Sequence, residues 1–192
     1  TYHRSAWDIP FIRGKADAVM QRSGIPPDSH DGKALVNILE SLPRDELFQS
    51  TIDELLETSL GVLELEERNR TRLFVRRDHV AQFFSCLVFI PRERFNTDVR
   101  MAVQRILRES LGGAREDYTL QFGESGMVRV HFIVRPEGQC SENYDIGEIE
   151  DQITAVVRSW HDELRDVLIE RHGERSGMDI ARRFEQAMPP VY

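Results

Sequence analysis

The sequence predicts an α+β fold in which a four-stranded antiparallel sheet carries helices on one face and has helical segments before and after it. Four stretches between residues 72 and 136 are rich in β-branched and aromatic residues, which favour strands. Apolar residues recur at helical spacing between the second and third of these stretches. The resulting order is strand, strand, helix, strand, strand, helix, which is typical of helices packed on one face of an antiparallel sheet.

The first two strands form a predicted hairpin. RLFVRRD alternates, with Leu73 and Val75 on one face. The second strand, Phe83 to Ile90, is almost continuously apolar, as expected of a strand that is buried on both faces. We therefore expect its second face to be covered by something outside this domain. Pro91 closes the strand.

A helix follows, with Asn96 or Thr97 as its N-cap and Gly112-Gly113 as its end. Arg92-Glu93-Arg94 lies just before it. These three residues fit a carboxylate site at the helix N-terminus or a surface ion-pair cluster, and we favour the cluster. The buried stripe of the helix is predicted from six residues: Val99, Ala102, Val103, Ile106, Leu107 and Leu111.

The second hairpin joins YTLQF to MVRVHFIV. In the first of these strands Tyr118, Leu120 and Phe122 share a face. In the second strand four residues point to the core: Val128, Val130, Phe132 and Val134. Arg129 and His131 then lie on the far side, where we expect His131 to be solvated or to pair across strands.

We place the two hairpins side by side, in the strand order third, fourth, second, first. Right-handed crossover limits the ways in which the hairpins can be joined. The sheet would be ferredoxin-like, a circular permutant of the βαββαβ pattern. A PAS-like sheet is the alternative, but it needs a fifth strand that the sequence does not contain.

Residues 1–69 are predicted to form a helical connector. Its first helix has Asp8 as a cap, Pro10 in its first turn, and a thin apolar stripe of Phe11, Ala18 and Val19. His30, Asp31 and Lys33 open the second helix; they suggest a site, but acidic residues at a helix start are what capping and the helix dipole favour.

A later helix of this connector begins with a capping box, Thr51 and Glu54. Five apolar residues then repeat at helical spacing: Ile52, Leu55, Leu56, Leu60 and Leu63.

The segment after the sheet is predicted to form one long helix. Its apolar face runs from Ile149 through Trp160 and Leu164 to Leu168, about five turns, and Gly173 ends it. These elements give three predicted units: a helical connector at 1–69, an α+β domain at 70–173, and a C-terminal helix at 174–192. That last helix spans Met178 to Met188 and is stopped by Pro189-Pro190.

Composition limits the function classes. A net charge of −8 argues against broad phosphate-backbone binding, so no nucleic-acid partner is expected. No run of about 18 apolar residues exists, so no membrane partner is expected either. The two cysteines, Cys86 and Cys140, cannot form a disulfide framework, which indicates a reducing, cytoplasmic compartment. The ends of the chain suggest a fragment of a longer protein.

No motif of reaction chemistry is present. The sequence contains no Gly-x-Gly-x-x-Gly, no Gly-x-x-x-x-Gly-Lys-Ser/Thr, no Gly-x-Ser-x-Gly and no His-Glu-x-x-His. The six histidines are scattered, and carboxylate pairs lie on predicted helix exteriors. We therefore predict no catalytic, cofactor-binding or metal-ligating residue in this segment.

Several stretches resemble one family. HDGKALVNILESLPRDELFQ, RLFVRRD, SCLVFIPRERFNT and MVRVHFIV are similar to the amino-terminal region of the large bacterial NAD-specific glutamate dehydrogenases, over roughly residues 8–190. The resemblance implies an ACT-like regulatory module with helical flanks, in a parent enzyme that deaminates L-glutamate to 2-oxoglutarate with NAD. The glutamate- and NAD-binding residues of that family lie downstream, so none is transferred here.

We weigh three hypotheses, of which the first two follow from the resemblance and the third from the arginine content and the sheet. The first is a regulatory and assembly segment that contacts other domains of its own polypeptide, forms a homo-oligomer and binds a small amino-acid effector. The second is a structural spacer with the same contacts and no effector site. The third, an independent nucleic-acid-binding domain, is weaker because few aromatic residues alternate with cations.

Overall fold

The computed structural model describes residues 5–123, 126–140, 143–158 and 160–187. These residues form eight α-helices, two single turns of 3₁₀ helix and four strands. In chain order the α-helices and strands are α1 (Pro10–Ser23), α2 (His30–Ser41), α3 (Arg44–Gln49), α4 (Ile52–Glu67), β1 (Arg72–Arg77), β2 (Phe84–Pro91), α5 (Thr97–Leu111), β3 (Gly113–Phe122), β4 (Met127–Pro136), α6 (Ile146–Val157), α7 (Trp160–His172) and α8 (Glu174–Ala187).

The helical segment, α1 to α4, begins and ends largely where the sequence predicts. Gly24 ends α1 in the left-handed conformation, at φ 68°. The side chain of Ser29 caps α2 by accepting from Gly32 N–H. Thr51 and Glu54 form the complete capping box of α4. The predicted Asp8 cap is wrong, because Ile9 is the N-cap of α1 and contributes no side-chain bond.

The buried faces of α1 and α4 differ from the prediction. The stripe of α1 is Ile12, Ala16 and Val19, whereas Phe11 is 59% exposed. Phe11 instead stacks on Phe48 of α3 at the surface. In α4 Leu55 and Leu65 are the most deeply buried apolar residues. Three leucines between them lie at half-buried positions: Leu56, Leu60 and Leu63.

The sheet has the predicted topology. Its strand order is β1-β2-β4-β3, and every neighbouring pair is antiparallel. Leu87 of β2 lies between Phe74 of β1 and His131 of β4, which fixes the register across the centre of the sheet. The four-stranded ferredoxin-like arrangement is therefore confirmed. Strand β3 starts at Gly113, five residues before the predicted YTLQF.

One face of the sheet packs against α5 and α6, and we call it the α5–α6 face. All eight residues of β2 are buried, and those on this face are Phe84, Cys86, Val88 and Ile90. They join Val128, Val130, Phe132 and Val134 of β4 in one core with the apolar stripes of both helices. The predicted inward residues of β4 are therefore confirmed.

The opposite face packs against the helical segment, and we call it the α1–α4 face. Leu87, Phe89 and Met127 share a second core with residues of α1 to α4, among them Leu35, Leu39 and Leu55. The second face of β2 is thus covered from outside the predicted α+β domain, as expected. The cover comes from the same chain, so this face does not require a second copy.

The prediction of a single long helix after the sheet is wrong. Helix α6 ends at Val157, and Arg158 has an extended backbone with ψ 128°. Helix α7 then begins at Trp160 and ends at His172. No glycine or proline marks this break. The side chains of Trp160 and Leu164 and the predicted stop at Pro189-Pro190 lie outside the described part of the chain.

Helices α7 and α8 pack on each other closely. Gly177 of α8 permits the contact, because a Cβ at this position would approach the backbone of Ile169 to 2.5 Å. The turn between the helices is made by Gly173, at φ 77°.

Candidate functional site

The α1–α4 face carries polar side chains that the helical segment buries. We call Glu46 of α3, Arg76 of β1, Ser85 of β2 and His131 of β4 the buried polar cluster. Their exposed fractions are 5%, 6%, 1% and 8%, respectively. Because an unpaired polar group is costly at such burial, the geometry of their contacts determines what the cluster does.

Glu46 and Arg76 form a bidentate ion pair. Arg76 Nε donates to Glu46 Oε2 at 3.0 Å, and Arg76 Nη2 donates to Oε1 at 2.7 Å. Burial alone would raise the pKa of Glu46, but the hydrogen bonds and charge of Arg76, together with Ser85, hold that pKa below its usual value. The pair joins the helical segment to the first strand of the sheet.

Ser85 links this pair to His131. The Ser85 hydroxyl donates to Glu46 Oε1 at 2.7 Å, since a carboxylate can only accept. The contact of 2.7 Å between Ser85 Oγ and His131 Nε2 must then use a proton on Nε2. Burial, with the charges of Arg129 and Arg76, lowers the pKa of His131 against the opposite effect of Glu46. The neutral imidazole with its proton on Nε2 satisfies every bond.

Serine, histidine and glutamate side chains in contact suggest a hydrolytic triad, but the geometry is wrong for one. In a triad the carboxylate orients the histidine and the free imidazole nitrogen accepts the serine proton. Here the carboxylate binds Ser85 directly, and His131 Nε2 donates to Ser85 instead of accepting from it. The cluster therefore holds the helical segment against the sheet, and the Glu46 carboxylate, whose low pKa makes it a weak base, is the group that accepts from Ser85.

A first cavity of about 270 Å³ lies beside this cluster, between α4, β1 and α6. Its charged lining combines two arginines, Arg72 and Arg76, with four glutamates, Glu46, Glu54, Glu57 and Glu150. Arg76 Nη1 is fully enclosed and has no hydrogen-bond partner among the described residues. This cavity is therefore lined by both positively and negatively charged side chains that a ligand could contact.

A second cavity of about 450 Å³ lies between α2, α4, the C-terminal ends of β2 and β3, and the N-terminal end of β4. Arg129 lines it and is 8% exposed. We call it the Arg129 cavity. The sequence places Arg129 on the side away from the main core, and this is confirmed, but the helical segment buries it.

The two edges of the sheet differ. At β1, Glu150 of α6 accepts from Leu73 N–H at 2.8 Å and pairs with Arg72 at 3.1 Å. At β3 no such cover exists in the part of the chain that the structure describes. Tyr118, Leu120 and Phe122 of β3 are 43%, 40% and 55% exposed. An uncovered edge strand with apolar side chains is a template for pairing with another chain segment.

The residues that suggested a site in the sequence line neither of the two cavities described above. His30 and Asp31 contact each other at 3.4 Å, and their side chains are 93% and 64% exposed. Arg92 begins an exposed single turn before α5 and lies over the ring of Phe122.

Cys86 and Cys140 are free and buried, and burial raises the pKa of both thiols. His131 pairs across strands, one of the two alternatives that the sequence left open. Among the described residues no group of three or more His, Cys, Asp or Glu side chains is placed to hold a metal ion, and no helix is long and apolar enough to cross a membrane.

Two protein families match this chain. Residues 72–161 match the glutamate dehydrogenase ACT2 domain, and residues 9–68 match glutamate dehydrogenase helical motif 1. Residues 72–161 are therefore assigned to the ACT2 domain and residues 9–68 to helical motif 1. The resemblance noted in the sequence is therefore confirmed, and the sheet of this ACT2 domain is the one described above.

Relatives extend the comparison over the whole chain. It is 41% identical over 191 residues to an NAD-specific glutamate dehydrogenase of Halomonas elongata and 38% identical over 191 residues to one of Pseudomonas aeruginosa, covering all of this chain in both cases. An NAD-specific glutamate dehydrogenase of Mycobacterium tuberculosis is 31% identical over 94% of this chain. The chain spans 12% of the length of each of these relatives.

Proposed function

We propose that this chain is a non-catalytic regulatory and assembly segment of an NAD-dependent glutamate dehydrogenase. The parent reaction would convert L-glutamate, NAD and water to 2-oxoglutarate, ammonia and NADH. The three relatives named NAD-specific glutamate dehydrogenases support this parent, because each contains a segment equivalent to this chain. NAD would bind elsewhere in the longer polypeptide, and we assign no catalytic, cofactor or metal residue here.

The uncovered edge of β3 is the observation that carries the assembly role. At the sheet's other edge Glu150 binds the backbone of Leu73, and both faces of the two central strands pack against helices of the same chain. The backbone of β3 and its apolar side chains are what the sheet still has available for a partner. We propose that another domain of the polypeptide or a second subunit covers this edge, in a cytoplasmic homo-oligomer.

The assembly role is tested in the full-length parent enzyme. Tyr118→Lys and Leu120→Lys place charges on the exposed apolar side of β3, and Thr119→Lys is the matched control on its other side. The first two variants should lower the oligomeric mass measured by light scattering, while the control keeps it. Unchanged mass in all three variants would contradict a contact between subunits at β3.

The first cavity favours an amino-acid sensor over a structural spacer. A free amino acid carries a carboxylate that suits Arg72 or Arg76 and an ammonium that suits Glu54, Glu57 or Glu150. Thermal-shift titration of the chain with the twenty amino acids separates these two functions. The sensor predicts a saturable response that weakens in Glu57→Gln, whereas the spacer predicts no response to any amino acid.

The division of the chain is part of the proposal. Residues 1–69 would act as the helical connector, residues 70–173 as the ACT-like domain, and residues 174–192 as the helix that leads to the next domain. The free, buried thiols of Cys86 and Cys140 support the reducing compartment of a cytoplasmic enzyme.

A further inference from the structure

We propose that the Arg129 cavity binds a small monocarboxylate with an apolar body and no cationic group. Nothing in the family assignment points to this cavity, which is separate from the first cavity beside the buried polar cluster. The proposal does not depend on the function proposed above, because it concerns binding to this chain alone.

The buried charge of Arg129 lacks an anionic partner among the described residues. Its Nη2 donates to the backbone oxygen of Ser41 at 2.7 Å and to Gln121 Oε1, and both acceptors are neutral. Nε and Nη1 donate to no atom of the described chain. Burial lowers the pKa of Arg129 to about 10, and no carboxylate among the described residues offsets this effect.

Arg76 is a second buried arginine of this chain, and its contacts can be compared with those of Arg129. It is buried to the same extent as Arg129, at 6% against 8% exposed, and Glu46 meets it with two oxygens. A buried charge without such a partner is costly, and an anion is the group that reduces this cost. Arg129 is therefore as buried as Arg76, but no carboxylate of the described residues pairs with it.

The Ser41 contact accounts for part of Arg129's role. Ser41 is the last residue of α2, so Arg129 caps the negative end of that helix, where a cation is favourable. That contact and the Gln121 contact both use Nη2. Nε and Nη1 keep N–H groups that can each donate to a carboxylate oxygen of a ligand.

The walls of the cavity define the rest of the ligand. Six of its lining residues are apolar: Ile38, Val62, Leu65, Phe89, Phe122 and Met127. Its volume of about 450 Å³ is in the range of small-molecule sites. No carboxylate belongs to its described lining, so the ammonium of an amino acid would find no partner here. This contrasts with the first cavity, where glutamates outnumber arginines.

Calorimetric titration of the 192-residue chain with 3-phenylpropanoate tests the proposal. Its amide, 3-phenylpropanamide, removes the charge, and L-phenylalanine adds an ammonium to the same skeleton. We expect saturable binding of the acid, with binding at least about tenfold weaker for both comparison compounds, because a charge-assisted hydrogen bond contributes that much or more. Inorganic phosphate, an anion without an apolar body, should also bind more weakly.

Two variants link this binding to the cavity. Asn37→Glu places a carboxylate on an exposed position of α2 that lines the cavity, so it should compete with the ligand and weaken binding about tenfold without affecting the fold. Arg129→Gln should abolish the preference for the acid over its amide. Arg135→Gln is the matched control, since Arg135 lies on the same strand in an exposed pair with Asp117.

Three results would overturn the proposal. The first is an equal affinity for the acid and its amide, and the second is undetectable binding of all four compounds at 10 mM. The third is unchanged binding of the acid by Asn37→Glu, a result that remains decisive even if Arg129→Gln does not fold.

Discussion

Removal of Glu46 should destabilise the chain by about 3–5 kcal/mol, the range for breaking a buried ion pair by deleting one partner. Glu46→Ala leaves Arg76 at 6% exposure without its bidentate acceptor and leaves the Ser85 hydroxyl without its carboxylate. Gln49 Oε1 still accepts from Arg76 Nη2 at 3.0 Å, but it is neutral. The loss is large compared with the 5–15 kcal/mol that typically stabilises a domain.

Urea unfolding at pH 7, followed by far-ultraviolet circular dichroism, measures this loss as a change in midpoint at constant slope. Asp117→Asn is the control, because the Asp117 carboxylate is 75% exposed and its pair with Arg135 should contribute no more than about 1 kcal/mol. The double variant Glu46→Leu, Arg76→Met should lie within about 2 kcal/mol of the wild type, since no unpaired charge is left. A Glu46→Ala loss as small as that of Asp117→Asn would refute the role given to the cluster.

Three further predictions concern single side chains. In the folded chain the pKa of His131 lies below 6.5, its ordinary value in an unfolded chain, so unfolding takes up a proton and the free energy of unfolding should fall as the pH drops below 6.5. His131→Gln should reduce the loss of unfolding free energy between pH 7 and pH 5.5. An unchanged loss would contradict a buried neutral imidazole. Thr51→Ala should cost about 1 kcal/mol in urea unfolding by removing the N-cap of α4, whereas a cost near zero would contradict the capping box. Gly61→Ala should lower the unfolding temperature because its Cβ would meet the Phe74 ring at 2.6 Å, and a neutral result would show that the ring moves freely.

The sheet could be predicted because its signals are local. The run Phe83 to Ile90 is apolar on both faces apart from Ser85, so burial on both sides follows without knowledge of the neighbours. The Gly112 stop and the alternation of β4 likewise depend on adjacent residues.

The candidate sites could not be predicted because their signals are distant in sequence. Glu46 and Arg76 are 30 residues apart, and Arg129 and Ser41 are 88 apart. Each looks like an ordinary surface residue of its own element until the helical segment covers the α1–α4 face. The sequence predicts a stripe of Phe11, Ala18 and Val19 on α1, whereas the buried residues are Ile12, Ala16 and Val19, so the pattern of α1 alone does not identify the sheet as its neighbour.

Hydrogen–deuterium exchange of residues 118–122 tests the central claim most directly, by comparing the isolated chain at low concentration with the full-length parent enzyme. The account predicts that the outward amides of β3 exchange rapidly in the isolated chain and at least about tenfold more slowly in the parent, because a partner covers this edge there. Strand β4, which is central in the sheet, is the internal control and should be protected in both. Equal, rapid exchange of β3 in both proteins would contradict the claim that this segment uses β3 for assembly.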